Sequence, residues 1–566
     1  MERRPFAGPG ARTPEAKRIF GPSRSKESKE AAKPSDRSIP LGTPFGGMPP
    51  QERKALGSTL SGSLEQDLKT LRGIFRSPRN AALIVREFEI ASRWGRTKAA
   101  LVYLSGMVDE ASIREHLLRP LMDLRIQDQS DPPTVERLSR TQISEPRVET
   151  LGTFSQATSA IVEGKTVFLL DGDVHALSCD TRAPEHRAVE ESPTEAVVRG
   201  PHIGFVEDLT TNLALLRTFF STPDLVAEQL YVGARGHFAV SIVYIEGIAN
   251  PKLVDEVRRR ITSVSLDAVS NTICLMAAVQ ESPANPFPKF LSTERPDRVA
   301  FMIAEGHVAV LSNCSTAVLV PLSVWSLMQS AEDYSTHFIP ATLLRLLRWL
   351  AVFTTSYASA LYVAIVSYHP SMLPTELLLA IASAREAIPL PAALEVVIME
   401  LAFELIREAG VRVPTLVGPT IAIVGAVVLG QAAVQASIVS PIPVVVVAIS
   451  GLGSYAIPDY HLNIYVRMVK FLMIGAAAVL GIPGITFATV TLLGCLFSMR
   501  SFGVPMTAPL LPWWPHSPDL VFKGPHRAMM LRPGHTRPLD VRRQKPGLGQ
   551  EDAAAPAGES AQPGRY

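Results

Sequence analysis

Hydrophobic and polar positions divide the chain into three textures. Residues 1–60 place few large apolar side chains among Pro, Gly, Ser, Lys and Arg. Such a segment cannot bury enough surface to offset its ordering entropy, so a disordered basic, Pro-rich tail is expected there, able to touch anionic lipid. From about 64 to 325, short apolar runs alternate with amphipathic stretches, the pattern of strands and helices in an α/β fold. After 340 the apolar runs lengthen towards the roughly 20 residues that a bilayer crossing requires.

The middle texture repeats itself. LVYLSGMVDEASI (101–113) and IVYIEGIANPKLV (242–254) match in pattern at an offset of 141 residues. Each is an apolar strand ending at Gly106 or Gly247, followed by Asp109 or Asn250 where a helix N-cap belongs. IVEGKTVFLLDGD (161–173) and IAEGHVAVLSNCS (303–315) follow at nearly the same offset, each with Glu-Gly at a tight turn before a strand. Two matches in one order predict two related α/β subdomains in tandem, 64–178 and 200–330. Residues 128–150 and 180–200 read as loops, and 281–298 as a proline-punctuated link inside the second subdomain.

The third texture predicts a transmembrane helical domain over 342–500. Its apolar runs are 342–369, 416–436, 438–457 and two more within 464–500, divided around Gly481-Ile482-Pro483-Gly484. Arg345 and Arg348, Arg407 and Arg412, Arg467 and Lys470, and Arg500 fall on one side of a membrane if 374–409 also crosses. That layout has six spans with both tails cytoplasmic. A re-entrant or surface-lying segment at 374–409, with a different span count, is the alternative. Gly418, Gly425, Gly430, Ala432 and Ala433 permit close helix contacts, and Pro441, Pro443 and Pro458 imply kinked or broken helices. Both features suit a packed bundle better than a simple anchor. Residues 501–566 read as a basic, Pro-rich tail.

One stretch raises the functional question: VVIMELAFELIREAG, residues 396–410. Glu400 and Glu404 lie within roughly 40° of each other on a helix, and Glu395 falls well off that face. Carboxylates at membrane depth are costly unless paired or facing water, which suits drawing cations into an aqueous path or relaying protons. On the structural reading, Glu404 pairs with Arg407 at i,i+3 and the helix lies at the interface. Gln431 and Gln435 share a helical face and could line a pore or hydrogen-bond across helices. Arg385, in a short helix bounded by prolines, could neutralise an acidic partner in the bundle or form a surface salt bridge. The candidate ion path therefore comprises Glu395, Glu400, Glu404, Gln431 and Gln435.

Composition narrows the classes. The 566 residues are 47% hydrophobic and 19% charged, with a formal net charge of +2. This balance fits a chain part soluble and part membrane-embedded, and lacks the basic excess of a nucleic-acid binder. The four cysteines form no CxxC pair, which argues against a zinc site or disulfide framework. The N-terminus has no apolar run of the kind that marks a cleaved signal. DGDVH (171–175) could ligate a hard cation, but Asp-Gly after an apolar strand marks a hairpin turn, and the repeat counterpart loses the ligands. No GxSxG, Walker A, HExxH or Rossmann motif is present, so no catalytic residue, cofactor or metal is expected.

Several long motifs carry a family resemblance. FPKFLSTERPDRVAFMIAEGHVAVLSNCSTAVLVPLSVWSLMQSAEDY (287–334), LPTELLLAIASAREAIPLPAALEVVIMELAFELIREAGVRVP (373–414), GQAAVQASIVSPIPVVVVAIS (430–450) and MRSFGVP (499–505) resemble signature blocks of the GerA family. These are the A subunits of spore germinant receptors, with the related stage V sporulation protein AF. The resemblance runs from about 64 to 515. Asn313-Cys314 and Pro505-Met506 depart from common family residues at non-catalytic positions. The resemblance implies a multi-pass protein of the spore inner membrane with a soluble N-terminal region of two subdomains. It also implies B and C partner subunits, a homo-oligomeric ring, and a ligand-gated channel for monovalent cations that triggers germination. A secondary transporter would call for inverted repeats between membrane halves, and the repeat found here is in the soluble part. A non-conducting membrane scaffold for partner subunits is the remaining alternative.

Overall fold

The computed structural model describes residues 56–543 apart from 93–94, 123–132, 183–191, 193–194, 196, 198–199, 282–284, 413–427, 429, 513–518 and 526–527. Most of the N-terminal tail expected over 1–60 lies outside the described residues.

Helix α1 (Leu64–Ile74) leads into β1 (Leu83–Ser92), β2 (Gly95–Leu104) and β3 (Val148–Leu151), and α2 (Phe154–Val162) precedes β4 (Thr166–Leu170) and β5 (Ala176–Cys179). All neighbours pair antiparallel in the order β1-β2-β4-β5-β3. The next stretch runs α3 (Leu209–Phe219), β6 (Leu225–Val232), β7 (Phe238–Ile245), α4 (Pro251–Thr262), α5 (Thr272–Val279), β8 (Leu291–Thr293), α6 (Pro296–Ala304), β9 (Val308–Ser312) and β10 (Ala317–Val320). Its sheet has the order β6-β7-β9-β10-β8, the same pattern five strands later.

The matched motifs occupy equivalent places in the two sheets. Gly106 and Gly247 leave the second strand of each at φ +81° and +82°, a region that only glycine enters without a Cβ penalty. Asp109 then accepts from Ala111 N, and Asn250 from Lys252 N, each at 3.0 Å, so both cap a helix start. Strands β4 and β9 are buried along their whole length. Val167 and Leu169 face a layer with Leu68 and Ile161, while Phe168 and Leu170 face Leu117 and Leu138. Burial on both faces explains why these strands read as unbroken apolar runs. The DGDVH segment is the β4–β5 turn. Asp171 accepts from Leu64 N at 3.0 Å and Asp173 from Val135 N at 2.8 Å, so both carboxylates hold helix starts.

The two sheets meet through polar contacts. Ala81 N donates to Ala227 O at 3.1 Å, Arg79 bonds Glu228 at 2.7 Å, and Arg76 lies 3.1 Å from Asp224.

The helical part comprises α7 (Phe338–Tyr368), α8 (Thr375–Arg385), α9 (Ala392–Arg412), α10 (Pro441–Tyr455), α11 (Tyr460–Leu480) and α12 (Ile482–Ser498). α7 packs against α9, α10, α11 and α12 around a core that includes Val363, Val396, Val447 and Met473. Among the described residues, α7 and α11 are the two helices long and apolar enough to cross a membrane. α10 and α12, at 15 and 17 residues, fall short of the roughly 20 expected for a straight crossing. The run at 416–436 lies largely outside the described residues. Backbones approach closely in the bundle: Thr355 Oγ1 donates to Ser450 O at 3.1 Å, and Ser450 Oγ donates to Thr355 O at 3.2 Å.

Beyond α12 the structure departs from the tail read at 501–566. β11 (Arg500–Ser501) and β12 (Val504–Pro505) form a small hairpin, and Met506 and Ala508 are fully buried. Ser501 Oγ accepts from Leu322 N at 2.9 Å and donates to Lys289 O at 2.7 Å. Farther on, Arg532 donates to Ala304 O at 2.7 Å and Leu539 N to Ile248 O at 2.9 Å. The strap bonds partly within itself, as Arg532 N to Val541 O at 2.8 Å and Arg543 N to Met530 O at 2.9 Å, and partly to the second subdomain and the base of α7. That kind of docking leaves no periodic trace in the sequence.

Candidate functional site

Three helices bring the central charges together. Glu400 on α9 is fully buried. It accepts from Ser359 Oγ of α7 at 2.6 Å and from Lys470 Nζ of α11 at 2.6 Å. Glu404, one turn on, accepts from the same Nζ at 3.2 Å and from Arg467 through both Nε and Nη2. The helical stripe thus presents two carboxylates to two cations at i,i+3 on a facing helix. Lys470 is 1% exposed, so this is a bundle-core cluster. Charges so placed are tolerable only because every one is answered and hydrogen-bonded.

Arg407 does not pair with Glu404. Its guanidinium lies over the rings of Phe403 and Tyr455, at 5.2 and 4.7 Å, and donates to Ser454 Oγ at 2.5 Å. Glu395 is fully buried at a separate place. Arg385 Nε donates to it at 3.1 Å, and it accepts from both N and Oγ of Ser440, at 2.9 and 2.8 Å. Arg385 therefore neutralises an acidic partner inside the bundle, tying α8 to α9 and to the start of α10. Gln431 and Gln435 are both exposed on a helical segment. The structure thus brings Glu400 and Glu404 together, sets Glu395 in its own network and leaves the glutamines at the surface.

The cations are what the sequence reading misplaced. Arg467 and Lys470 served there as markers of the cytoplasmic side, yet they answer the glutamates from within. Their i,i+3 spacing, complementary to the i,i+4 spacing of Glu400 and Glu404, is the signal that could have paired them. Arg345 and Arg348 are engaged in the same way at the base of α7. Arg345 Nε and Arg348 Nη1 both donate to Asp333 Oδ2, at 3.1 and 2.7 Å, and Arg345 also bonds Asp519 at 2.5 Å. Lys523 Nζ donates to Asp333 O at 2.5 Å and Thr336 O at 3.0 Å. This knot ties the second subdomain, the first long helix and the C-terminal strap into one unit.

Comparison with known proteins places the chain. Residues 69–535 match the family described as Bacillus/Clostridium GerA spore germination protein. The chain is 36% identical over 477 residues to spore germination protein KA of Bacillus subtilis (strain 168), covering 84% of this chain and 87% of that one. It is 36% identical over 454 residues to spore germination protein GerLA of Bacillus cereus, covering 80% and 91%. Against the uncharacterized membrane protein YfkQ of Bacillus subtilis (strain 168), identity is 36% over 436 residues, covering 77% and 84%. Among solved structures, the N-terminal domain of the A subunit of the Bacillus megaterium spore germinant receptor GerK3 aligns at 25% identity and a TM-score of 0.36. That alignment covers 47% of this chain and 96% of the other. With a family match spanning most of its length, this chain belongs to the GerA family of spore germination proteins.

Proposed function

We propose that this chain is a membrane subunit of a spore germinant receptor. It works with B and C subunits in the spore inner membrane, with both tails cytoplasmic. Copies assemble into a homo-oligomeric ring that opens as a ligand-gated path for monovalent cations. In this reading the bundle is multi-pass, and its shorter helices cross with the help of neighbours. The observation that carries the proposal is the Glu400, Glu404, Arg467 and Lys470 cluster spanning α9 and α11. Two carboxylates held by two cations form a closed arrangement, and opening exchanges the protein's own cations for permeant ones. The knot at Asp333 couples the sheets to α7.

Conductance of the full chain reconstituted in vesicles tests this. Glu400→Gln with Lys470→Gln, which removes one charge of each sign, should lower cation current and selectivity. Unchanged current and selectivity remove the cluster from the path. A non-conducting scaffold is the second reading, favoured by the fact that each carboxylate of the cluster already has a partner within the chain. It requires that the same pair of substitutions alters only recovery of the complex.

A further inference from the structure

A cavity among the described residues lies outside the bundle, between the C-terminal end of α6, the 323–329 segment and the C-terminal strap. Its interior measures about 50 Å³, room for a few water-sized groups beneath an open mouth. Its walls include Glu305, His307, Trp325, Asp519, Met529 and His535.

Hydrogen-bond accounting gives the cavity a preference. Four of its neutral donors are spent on the protein itself, while Arg543, which also lines it, is turned to Glu305. The neutral His535 keeps one N–H and one lone pair. Trp325 Nε1 donates to Thr507 O at 3.1 Å, Ser323 Oγ to Ala508 O at 2.6 Å, Ser326 Oγ to Ser323 O at 2.6 Å, and Gln329 Nε2 to Asp519 O at 3.0 Å. Acceptor capacity remains. His307 Nδ1 lies 3.0 Å from Met302 O, which can only accept, so Nδ1 carries the proton and Nε2 the lone pair. His535 stacks edge-on against His307, is 6% exposed, and neither ring nitrogen has a partner among the described residues. Arg543 stands 3.1 Å from Glu305 and stacks on Phe301 at 4.7 Å, which leaves a second carboxylate oxygen on Glu305. With its N–H committed, Trp325 has only its ring left to offer a ligand, and a ring face attracts cations.

We propose that this cavity binds a small organic ammonium ion, with its apolar body against Met529 and Trp325 and its three N–H donors on Glu305 and the two histidines. The proposal is independent of whether the bundle conducts. Burial pushes the Glu305 carboxyl up to about 7, with Arg543 and Arg532 opposing and Asp519 adding to the rise, and the neutral His307 and His535 beside it. An alkylammonium stays protonated across this range. Binding therefore strengthens as pH rises through 7.

The test is titration calorimetry of the full-length chain in detergent with butylammonium, and with 1-butanol and butyrate as matched controls. Butylammonium should bind saturably, about tenfold tighter at pH 8 than at pH 6, and Glu305→Gln should weaken it about tenfold at pH 8. Equal binding of 1-butanol, preferential binding of butyrate, or no saturable binding of butylammonium overturns the proposal. If Glu305→Gln fails to fold, the pH comparison on the unsubstituted chain decides, and a flat profile overturns it equally.

Discussion

The paired sheets and the helical bundle place their charges differently: around the central strands in the one, between the helices in the other. In the sheet region, charged side chains cap helices, hold turns or pair at the junctions between segments, as Glu228 with Arg79 and Arg258, while the central strands β4 and β9 are wholly buried and apolar in character. In the bundle, Glu395, Glu400 and Lys470 are themselves buried and join helices from the inside. Water can satisfy a stray charge at the edge of a sheet. Between apolar helices water is scarce, so Glu395, Glu400 and Lys470 take their partners from other helices, while Arg407 lies over the rings of Phe403 and Tyr455. Register in the bundle is therefore written in ion pairs, and register in the sheets in alternation and turns.

The sharpest way to break this contrast is Lys470→Ala, which strands Glu400 and deprives Glu404. Leaving a buried charge unpaired costs about 3–5 kcal/mol, so the thermal midpoint in detergent should collapse. Glu400→Met with Lys470→Met should recover most of it. A loss below about 1 kcal/mol for Lys470→Ala would mean that the pair is solvated and the contrast false.

Acid should act on the other side of the comparison, at the strap. Burial holds His307 down at about 4, and burial with His307 nearby holds His535 at about 3. The unfolded chain takes up these protons first, near 6.5, so the histidines' stabilisation is present above that pH and lost as pH falls towards 4. Each unit of separation corresponds to about 1.4 kcal/mol. Glu305, raised to about 7, works in the opposite sense, gaining stability as pH falls below 7. The two histidines outweigh it, so proteolysis within 528–543 should rise between about pH 6 and 4. Glu305→Gln should steepen that rise.

Two glycine substitutions sharpen the sheet side at smaller cost. Gly172 has φ +90° with open space around it, so Gly172→Ala should cost about 1–2 kcal/mol through backbone strain alone. At Gly106, φ +81°, a Cβ would also lie 2.8 Å from Thr210 O of the second subdomain, so Gly106→Ala should cost more and loosen the junction between subdomains. Equal melting shifts would show that the close approach relaxes freely. The smallest effect is expected for Arg140→Ala. Its i,i+4 pair with Glu136 is 75% and 70% exposed, and such pairs contribute about 0.5 kcal/mol or less.

Much of the sheet region was legible because its signals are local. The Gly106 and Gly247 turns and the Asp109 and Asn250 caps depend on neighbours a few residues away, and the 141-residue offset only sets two such local patterns side by side. The bundle was legible only as faces. Helical periodicity placed Glu400 and Glu404 on one stripe and Glu395 off it, but nothing local indicated that α11 would face that stripe. Counting Arg345, Arg467 and Lys470 as topological markers treated them as solvent-facing, whereas each is tied to a carboxylate within the fold.

By itself, the sequence determined the tandem α/β repeat, the apolar helical half, the stripe of carboxylates and membership of the GerA family. Those features rest on short-range periodicity and on long motifs in order. Tertiary structure alone decided that Lys470 and Arg467 answer Glu400 and Glu404, that Arg385 answers Glu395, and that the Pro-rich strap closes a cavity over His307. These contacts join residues 10 to 228 positions apart. The physical reason is that a helix or strand specifies which face it presents from its own residues, while the partner of that face is fixed only when distant segments compete to bury the same surface and charge.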